Sequence, residues 1–408
     1  MDKFTQLLFV LPLFLFSACE SDGESNDQLS KAEPIILKSA YAEKVKQDNN
    51  FAFDLLRTTV RASEEPNTFI SPLSVSMALS MTLNGAQGQT AEEMKQALRA
   101  SDYTMDEIND YNQTLREALL KVDPSTQLGI ANSIWAKHGF PVKETFTQTN
   151  RDYYDAEVRT EDFSVNTVKL MNQWCSDKTK EKIPEIIKEI PSDAVLYLIN
   201  AVYFKGIWIS QFKKNQTKKE SFLAENGQSK EVEMMHQEAS FNHATDDQAA
   251  YLELPYGNQA FSMVVMLPNE GKSTQDVLEH LNPSIWNGLS FIGKTVNLKL
   301  PRFKIELEYQ MEKKILPDMG MKLPFVAGAD FRGIADAPLN ISQVIHKTFL
   351  DVNEEGTEAA AATLVGIEFT TAPSTPQRVD FIVNRPFVFL IRENSTGVIL
   401  FAGKIGNL

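Results

Sequence analysis

The chain has 408 residues, 43% of them hydrophobic and 23% charged, with a formal net charge of −14 at pH 7. That is globular composition, and the acidic balance repels phosphate backbones, so nucleic acid is not an expected partner. The nearest thing to a basic patch is Lys213, Lys214, Lys218 and Lys219, which reads as a solvated loop.

The chain begins MDKFTQLLFVLPLFLFSAC. Lys3 precedes an apolar run too short and wrongly flanked to span a membrane, so residues 1–18 read as an export signal. Ser17 and Ala18 are small and precede Cys19, which resembles a bacterial lipobox; Phe16 stands where Leu is usual. The resemblance implies a signal-peptide-bearing, exported bacterial lipoprotein held at the membrane by a lipid on Cys19. Residues 19–40 open on a polar, acidic stretch and are expected to be a flexible linker. That stretch resembles surface-export tags, which favours the outer membrane, with the domain facing either the surface or the periplasm. With Cys19 lipidated, Cys175 is alone and no internal disulfide can form, so the fold must rest on its apolar core.

Residues 41–61 read as an amphipathic helix. Phe69-Ile70 is strand-like, and Ser71-Pro72 then signals a helix start, with Ser as cap and Pro at the first helical position. That helix runs to Gly85, is almost wholly apolar or small, and should be buried on all sides. Thr90 with Glu93 reads as the capping box of the next helix. The segments 131–140, 195–208, 251–268 and 296–309 are rich in β-branched and aromatic residues and read as strands. Helices come early and strands later, with no βαβ alternation. Residues 41–408 are therefore expected to form one α+β domain.

No G-x-S-x-G, H-E-x-x-H, C-x-x-C, G-x-G-x-x-G or P-loop is present, and the five His have no metal-ligand spacing. Nothing argues for an enzyme, a metal or a cofactor.

The unusual stretch is 346–387. A helix at Glu354–Ala362 followed by a Thr/Pro-rich loop would leave about 20 structureless residues inside a compact domain. As a strand, one face is Thr357, Ala359, Ala361, Thr363, Val365 and Ile367, and none of these is charged. Glu358, Ala360, Ala362 and Glu368 fall on the other face. Such a segment can enter a sheet with one face down, spanning roughly 33 Å from Thr357 to Ile367. Gly356 supplies the swivel.

EEGTEAAAAT resembles the hinge of inhibitory serpins. The likeness extends over nearly all of 41–407 through SPLSVSMALSMTLNGAQGQT, NAVYFKGIW, LELPYGNQAFSMVVMLP, LPRFKIELEY, GADFRGI and NRPFVFLIRENSTGVILFAGKI, in the family's order. The resemblance implies a large central mixed β-sheet, two further sheets, eight or nine helices and an exposed reactive-centre loop. It implies a suicide substrate of serine proteases, with papain-like cysteine proteases as a further class. The loop is cut, its hinge (Glu354, Gly356, Thr357, Glu358, Ala359, Ala360, Ala361, Ala362, Thr363) inserts into the sheet, and the protease stays bound in a 1:1 covalent complex with a monomeric inhibitor.

The same resemblance gives other residues their roles. Glu354 pairs with Arg302 where the loop joins the sheet, beside Trp208. Ser71, Ser74 and His346 form a polar cluster under the sheet centre; alternatively Ser71 is only a helix cap and His346 only a core histidine. Counting along the loop from Glu354 puts the scissile bond after Thr370 and before Thr371. Phe369 would suit a chymotrypsin-like enzyme, and either Thr an elastase-like one. Arg378 would attract a trypsin-like enzyme but lies too far along for trapping. Two competing readings are a non-inhibitory binding lipoprotein of the same fold and a ligand-capturing lipoprotein of an uptake system.

Overall fold

A computed structural model describes residues 31–357 and 378–408. The expected export signal (1–18) and Cys19 lie outside these residues. So do Glu358, Ala359, Ala360, Ala361, Ala362, Thr363, Phe369, Thr370 and Thr371.

In chain order the elements begin with α1 (Ser39–Ala62), β1 (Thr68–Ile70), α2 (Pro72–Leu83), α3 (Gly88–Ala97) and α4 (Met105–Lys121). Next come β2 (Gln127–Lys137), α5 (Glu144–Tyr154), β3 (Ala156–Glu161), α6 (Val165–Lys178) and β4 (Leu196–Ile207). The middle holds β5 (Lys218–Leu223), β6 (Ser229–Thr245), β7 (Ala249–Pro255), β8 (Phe261–Pro268), α7 (Thr274–His280) and α8 (Pro283–Gly288). The last third holds β9 (Ile292–Pro301), β10 (Phe303–Gln310), α9 (Ile315–Asp318), β11 (Ile345–Val352), β12 (Gly356–Thr357), β13 (Val379–Ile382), β14 (Phe387–Glu393) and β15 (Ile399–Ile405).

Two mixed sheets collect the described strands. One has six strands in the order β10-β11-β12-β4-β2-β3; the other has nine, from β1 to β13, with β5 paired onto β6. The two smaller sheets expected beside the large one are continuous here. The cause is β6, long enough to pair with β5 over 229–234, with β9 over 234–243 and with β7 over 242–245.

α2 explains how the layers are joined. It has no apolar stripe because it has no outer face. Leu73 and Met77 enter one core cluster, while Val75, Leu79, Met81 and Leu83 enter another. α6 covers the six-stranded sheet with Met171, Trp174 and Cys175, against Trp135 of β2 and Ile199 and Ala201 of β4.

Several expectations are corrected. The segments 251–268 and 296–309 each hold two strands, and β9 and β10 lie in different sheets. A βαβ unit is present, with β2 and β3 parallel across α5. α3 begins at Gly88, ahead of Thr90. The Thr90 hydroxyl instead accepts from Asp330 N–H, and Glu93 accepts from the N–H groups of Lys322 and Leu323. Tertiary donors outcompete the local cap there. The compact unit begins at Lys31, so residues 31–40, expected as linker, belong to it; Ala32, Ile35 and Leu37 pack on the core. Among the described residues no helix is long and apolar enough to cross a membrane.

Candidate functional site

The first turn of α2 builds one half of the site. Ser71 caps the helix, its hydroxyl accepting from Ser74 N–H at 3.2 Å and donating to Leu400 O at 2.8 Å. Its own N–H donates to His346 Nε2 on β11 at 2.9 Å. An accepting Nε2 makes this imidazole neutral with its proton on Nδ1. Burial away from water pushes the His346 pKa down to about 3. One turn on, the Ser74 hydroxyl donates to Asn200 Oδ1 on β4. Asn200 then donates to Asn132 Oδ1 on β2 at 2.7 Å, and Asn132 to Tyr154 O at 2.7 Å. One helix end thus holds two separate strands, β11 through Ser71 and β4 through Ser74.

Those strands are not paired with each other among the described residues. β12 lies between them at one end, with Thr357 opposite Val352 of β11 and Gly206 of β4, and Gly356 opposite Ile207. Farther along the gap is a cavity of about 280 Å³, lined by Ser74, Val75 and Leu79 of α2, Leu198 of β4 and Ile345 and Lys347 of β11. Thr357 belongs to the uncharged odd-numbered face and is 1% exposed.

Close backbone approach seats β12. A Cβ on Gly356 would collide with the Gly206 carbonyl oxygen and lie 2.8 Å from Ile207 Cα. A Cβ on Gly206 would lie 2.7 Å from Tyr256 Cδ1. Asn353 and Gly356 close a tight turn through reciprocal backbone bonds of 2.9 and 3.2 Å. Trp208 is buried against this turn. Its indole N–H donates to Asn353 O at 3.0 Å, and its ring stacks on Tyr256 with centroids 4.3 Å apart. The Tyr256 hydroxyl bonds the Thr357 hydroxyl at 2.6 Å. Burial raises the Tyr256 pKa far above the ordinary phenol value, so this group stays protonated.

Glu354 is buried and meets Arg302 at 4.0 Å, the outer limit of an ion pair, with Arg302 half exposed. Its closer partner is Thr217, whose hydroxyl donates to Glu354 Oε1 at 2.8 Å. Lys214 pairs with Glu355 at 2.6 Å, which raises the lysine pKa. The lysine read as part of a solvated patch is thus engaged at the hinge.

The structure brings the expected residues into two groups: Ser71, Ser74 and His346 at α2, and Trp208, Arg302, Glu354, Gly356 and Thr357 around β12. Sequence reasoning missed Asn132, Asn200, Thr217 and Tyr256. Asn within a strand is a depleted choice, and that was the available signal for the first two. Cys175 is free and buried in α6, its thiol pushed up to about 12 by burial. Among the described residues no group of three or more His, Cys, Asp or Glu could hold a metal ion.

A two-residue strand lies at the end of a gap that the described residues leave unfilled, above a central helix that latches both flanking strands. The chain belongs to the serpin family: the family model for serpins (serine protease inhibitor) matches residues 46–408. Members of that family are mostly protease inhibitors rather than catalysts.

The chain is 38% identical to Iris of Ixodes ricinus over 372 residues, covering 88% of this chain and 97% of that protein. It is 36% identical to human Serpin B4 over 386 residues (88% and 98%). It is 35% identical to the leukocyte elastase inhibitor of Xenopus tropicalis over 372 residues (87% and 97%). Among solved structures, the thermophilic serpin tengpin in its native state superposes with a TM-score of 0.81 at 32% identity, covering 93% and 97%. Human thyroxine-binding globulin with its ligand bound superposes at 0.80 with 29% identity, covering 90% and 99%.

Proposed function

We propose that this chain is a suicide-substrate inhibitor of elastase-like or chymotrypsin-like serine proteases, with papain-like cysteine proteases as a further target class. The observation that carries the reading is the seating of Thr357 between β4 and β11, at the end of a gap that the described residues leave unfilled. The protease nucleophile attacks the carbonyl of the bond near Phe369, Thr370 and Thr371. An acyl-enzyme forms and the amine side leaves. The freed arm from Glu358 onward then extends β12 through the gap, its uncharged face down, and carries the protease with it.

The charge pattern supports inhibition over carriage. A charged residue on the buried phase would cost several kcal/mol without a partner, and positions 357, 359, 361 and 363 are Thr, Ala, Ala and Thr. We place the protein at the outer membrane of a bacterium, as a monomer held by a lipid on Cys19.

The test is a denaturing gel of the protein with a small protease panel, with bands sequenced to locate the cut. A detergent-stable 1:1 complex with an elastase-like or chymotrypsin-like enzyme is the expected result. Thr357→Arg is expected to turn inhibition into plain cleavage. Digestion of the wild type by every protease tried, with no complex, would refute the reading. The likeness to thyroxine-binding globulin favours a second reading, a non-inhibitory carrier; that reading requires no gain in thermal stability after loop cleavage.

A further inference from the structure

Residues 358–377 contain no Lys or Arg; the next cation is Arg378. A trypsin-like protease, which needs a cationic side chain before the bond it cuts, has only Arg378–Val379 to work on between Thr357 and the end of β13. The Arg378 guanidinium lies 2.9 Å from Glu238 Oε2 on β6. The chain then enters β13 at once, Val379, Asp380, Phe381 and Ile382 pairing in parallel with Val296, Asn297, Leu298 and Lys299 of β9. Phe381 is buried, its ring edge-on to His243, and Val383 N–H donates to Lys299 O at 2.9 Å. A side-chain ladder reinforces the pairing. Asn297 donates to Asp380 Oδ1 at 2.7 Å, and its own Oδ1 meets His236 Nε2 at 2.7 Å.

A protease takes its substrate as an extended strand, with residues on both sides of the bond in its cleft. To offer Arg378–Val379, three residues of β13 must leave β9, Phe381 must leave the core and Arg378 must leave Glu238. Cleavage then follows the population of that opened form. We propose that Arg378 is a specificity-determining residue by being withheld. Glu238 and β13 hold it away from trypsin-like enzymes, which leaves cleavage to proteases that accept uncharged side chains. This rests on the reading of 358–377 as the stretch proteases cut.

The two restraints differ in size. An exposed ion pair supplies a factor of about two to five. Pulling a buried Phe from the core supplies a factor on the order of 100.

The experiment is limited proteolysis of the full chain by trypsin and, in parallel, by elastase. Mass spectrometry times the appearance of the fragment starting at Val379 and of cuts within 358–377. Trypsin is expected to release the Val379 fragment about 100-fold more slowly than elastase cuts the preceding segment. Glu238→Gln is expected to speed that release about two- to five-fold, and Glu238→Gln with Asn297→Ala about ten-fold or more, leaving the elastase rate unchanged. Thr370→Arg moves the same side chain off β13 and is expected to be cut by trypsin at the elastase rate.

Release of the Val379 fragment from the wild type at that same rate would overturn the proposal. So would substitutions that leave it unchanged, or a Thr370→Arg chain that trypsin ignores. Elastase cleavage without a covalent complex would refute the inhibitor reading alone and leave the withholding of Arg378 standing.

Discussion

Removing one oxygen atom, by Tyr256→Phe, tests how Thr357 is held. The ring itself is fixed without its hydroxyl. It stacks on Trp208 with an interplanar angle of 16° and meets Phe204 edge-on at 5.2 Å. Phe therefore keeps the packing and loses the 2.6 Å bond to Thr357. A buried neutral hydrogen bond is worth about 0.5–1.5 kcal/mol net, and the orphaned Thr357 hydroxyl adds a desolvation term of about 1 kcal/mol. The sum, about 2 kcal/mol, falls mainly on the two-residue pairing of Gly356 and Thr357 with Ile207 and Gly206. It should raise the released fraction of β12 by a factor on the order of 10–30. Native-state hydrogen exchange read by mass spectrometry resolves this: amides within 204–209 and 353–357 should exchange faster by that factor, with β8 and β14 unchanged. A lower melting temperature with unchanged exchange at 353–357 would refute the reasoning, because the hydroxyl would then support the core in general and not the seating of the hinge.

Other expectations are equally direct. His346 is neutral in the fold with a pKa near 3 and ordinary when unfolded, so between those values the unfolded chain binds the extra proton. Stability is therefore full above about pH 6.5 and falls as the pH drops, by about 3 kcal/mol at pH 4.5. Melting temperatures from pH 7 to 4 check this, and His346→Gln should flatten the added slope. Thr217→Val should destabilise the hinge end by about 1–2 kcal/mol, because it leaves the buried Glu354 carboxylate without its 2.8 Å donor. Arg302→Ala should change stability by less than about 1 kcal/mol, because its half-exposed pair is 4.0 Å long; denaturant midpoints of the two variants rank them. Cys19→Ala should abolish incorporation of labelled palmitate and release the protein from membranes, and persistence of both would remove the anchor.

What the sequence disclosed follows from how local each signal was. α2 was legible because Ser71-Pro72 is a cap read without tertiary knowledge, and because a helix apolar on every side must be buried. The seating of Thr357 was legible as a phase, since alternation needs only the residues themselves. α5 was missed because its sequence, ETFTQTNRDYY, is polar. Its buried residues are Phe146, Thr147, Asn150 and Tyr154, two of them plainly polar. The division of 296–309 was missed because Pro301-Arg302 sends β10 into another sheet, a choice made by distant partners. Tyr256 and Thr217 were invisible for the same reason. Each acts on a residue more than a hundred positions away, and no spacing rule connects them.

The latch beneath the gap is polar, and its strength explains the choice. β4 and β11 are held to α2 by Ser74–Asn200 and Ser71–His346, single bonds to separate strands. Apolar closure would bury several large side chains at about 1.5–3 kcal/mol each, and opening it would forfeit all of that. Neutral hydrogen bonds of about 1 kcal/mol can be exchanged one for another as strands separate. An arriving strand from Thr357 to Ile367, paired on both sides, would form about twenty backbone bonds, a gain on the order of 10–20 kcal/mol. That exceeds the few kcal/mol of the polar latch and would not exceed a sealed apolar seam by a comparable margin. Ser, Asn and neutral His at this seam suit the strand insertion proposed above, because each bond can be given up singly.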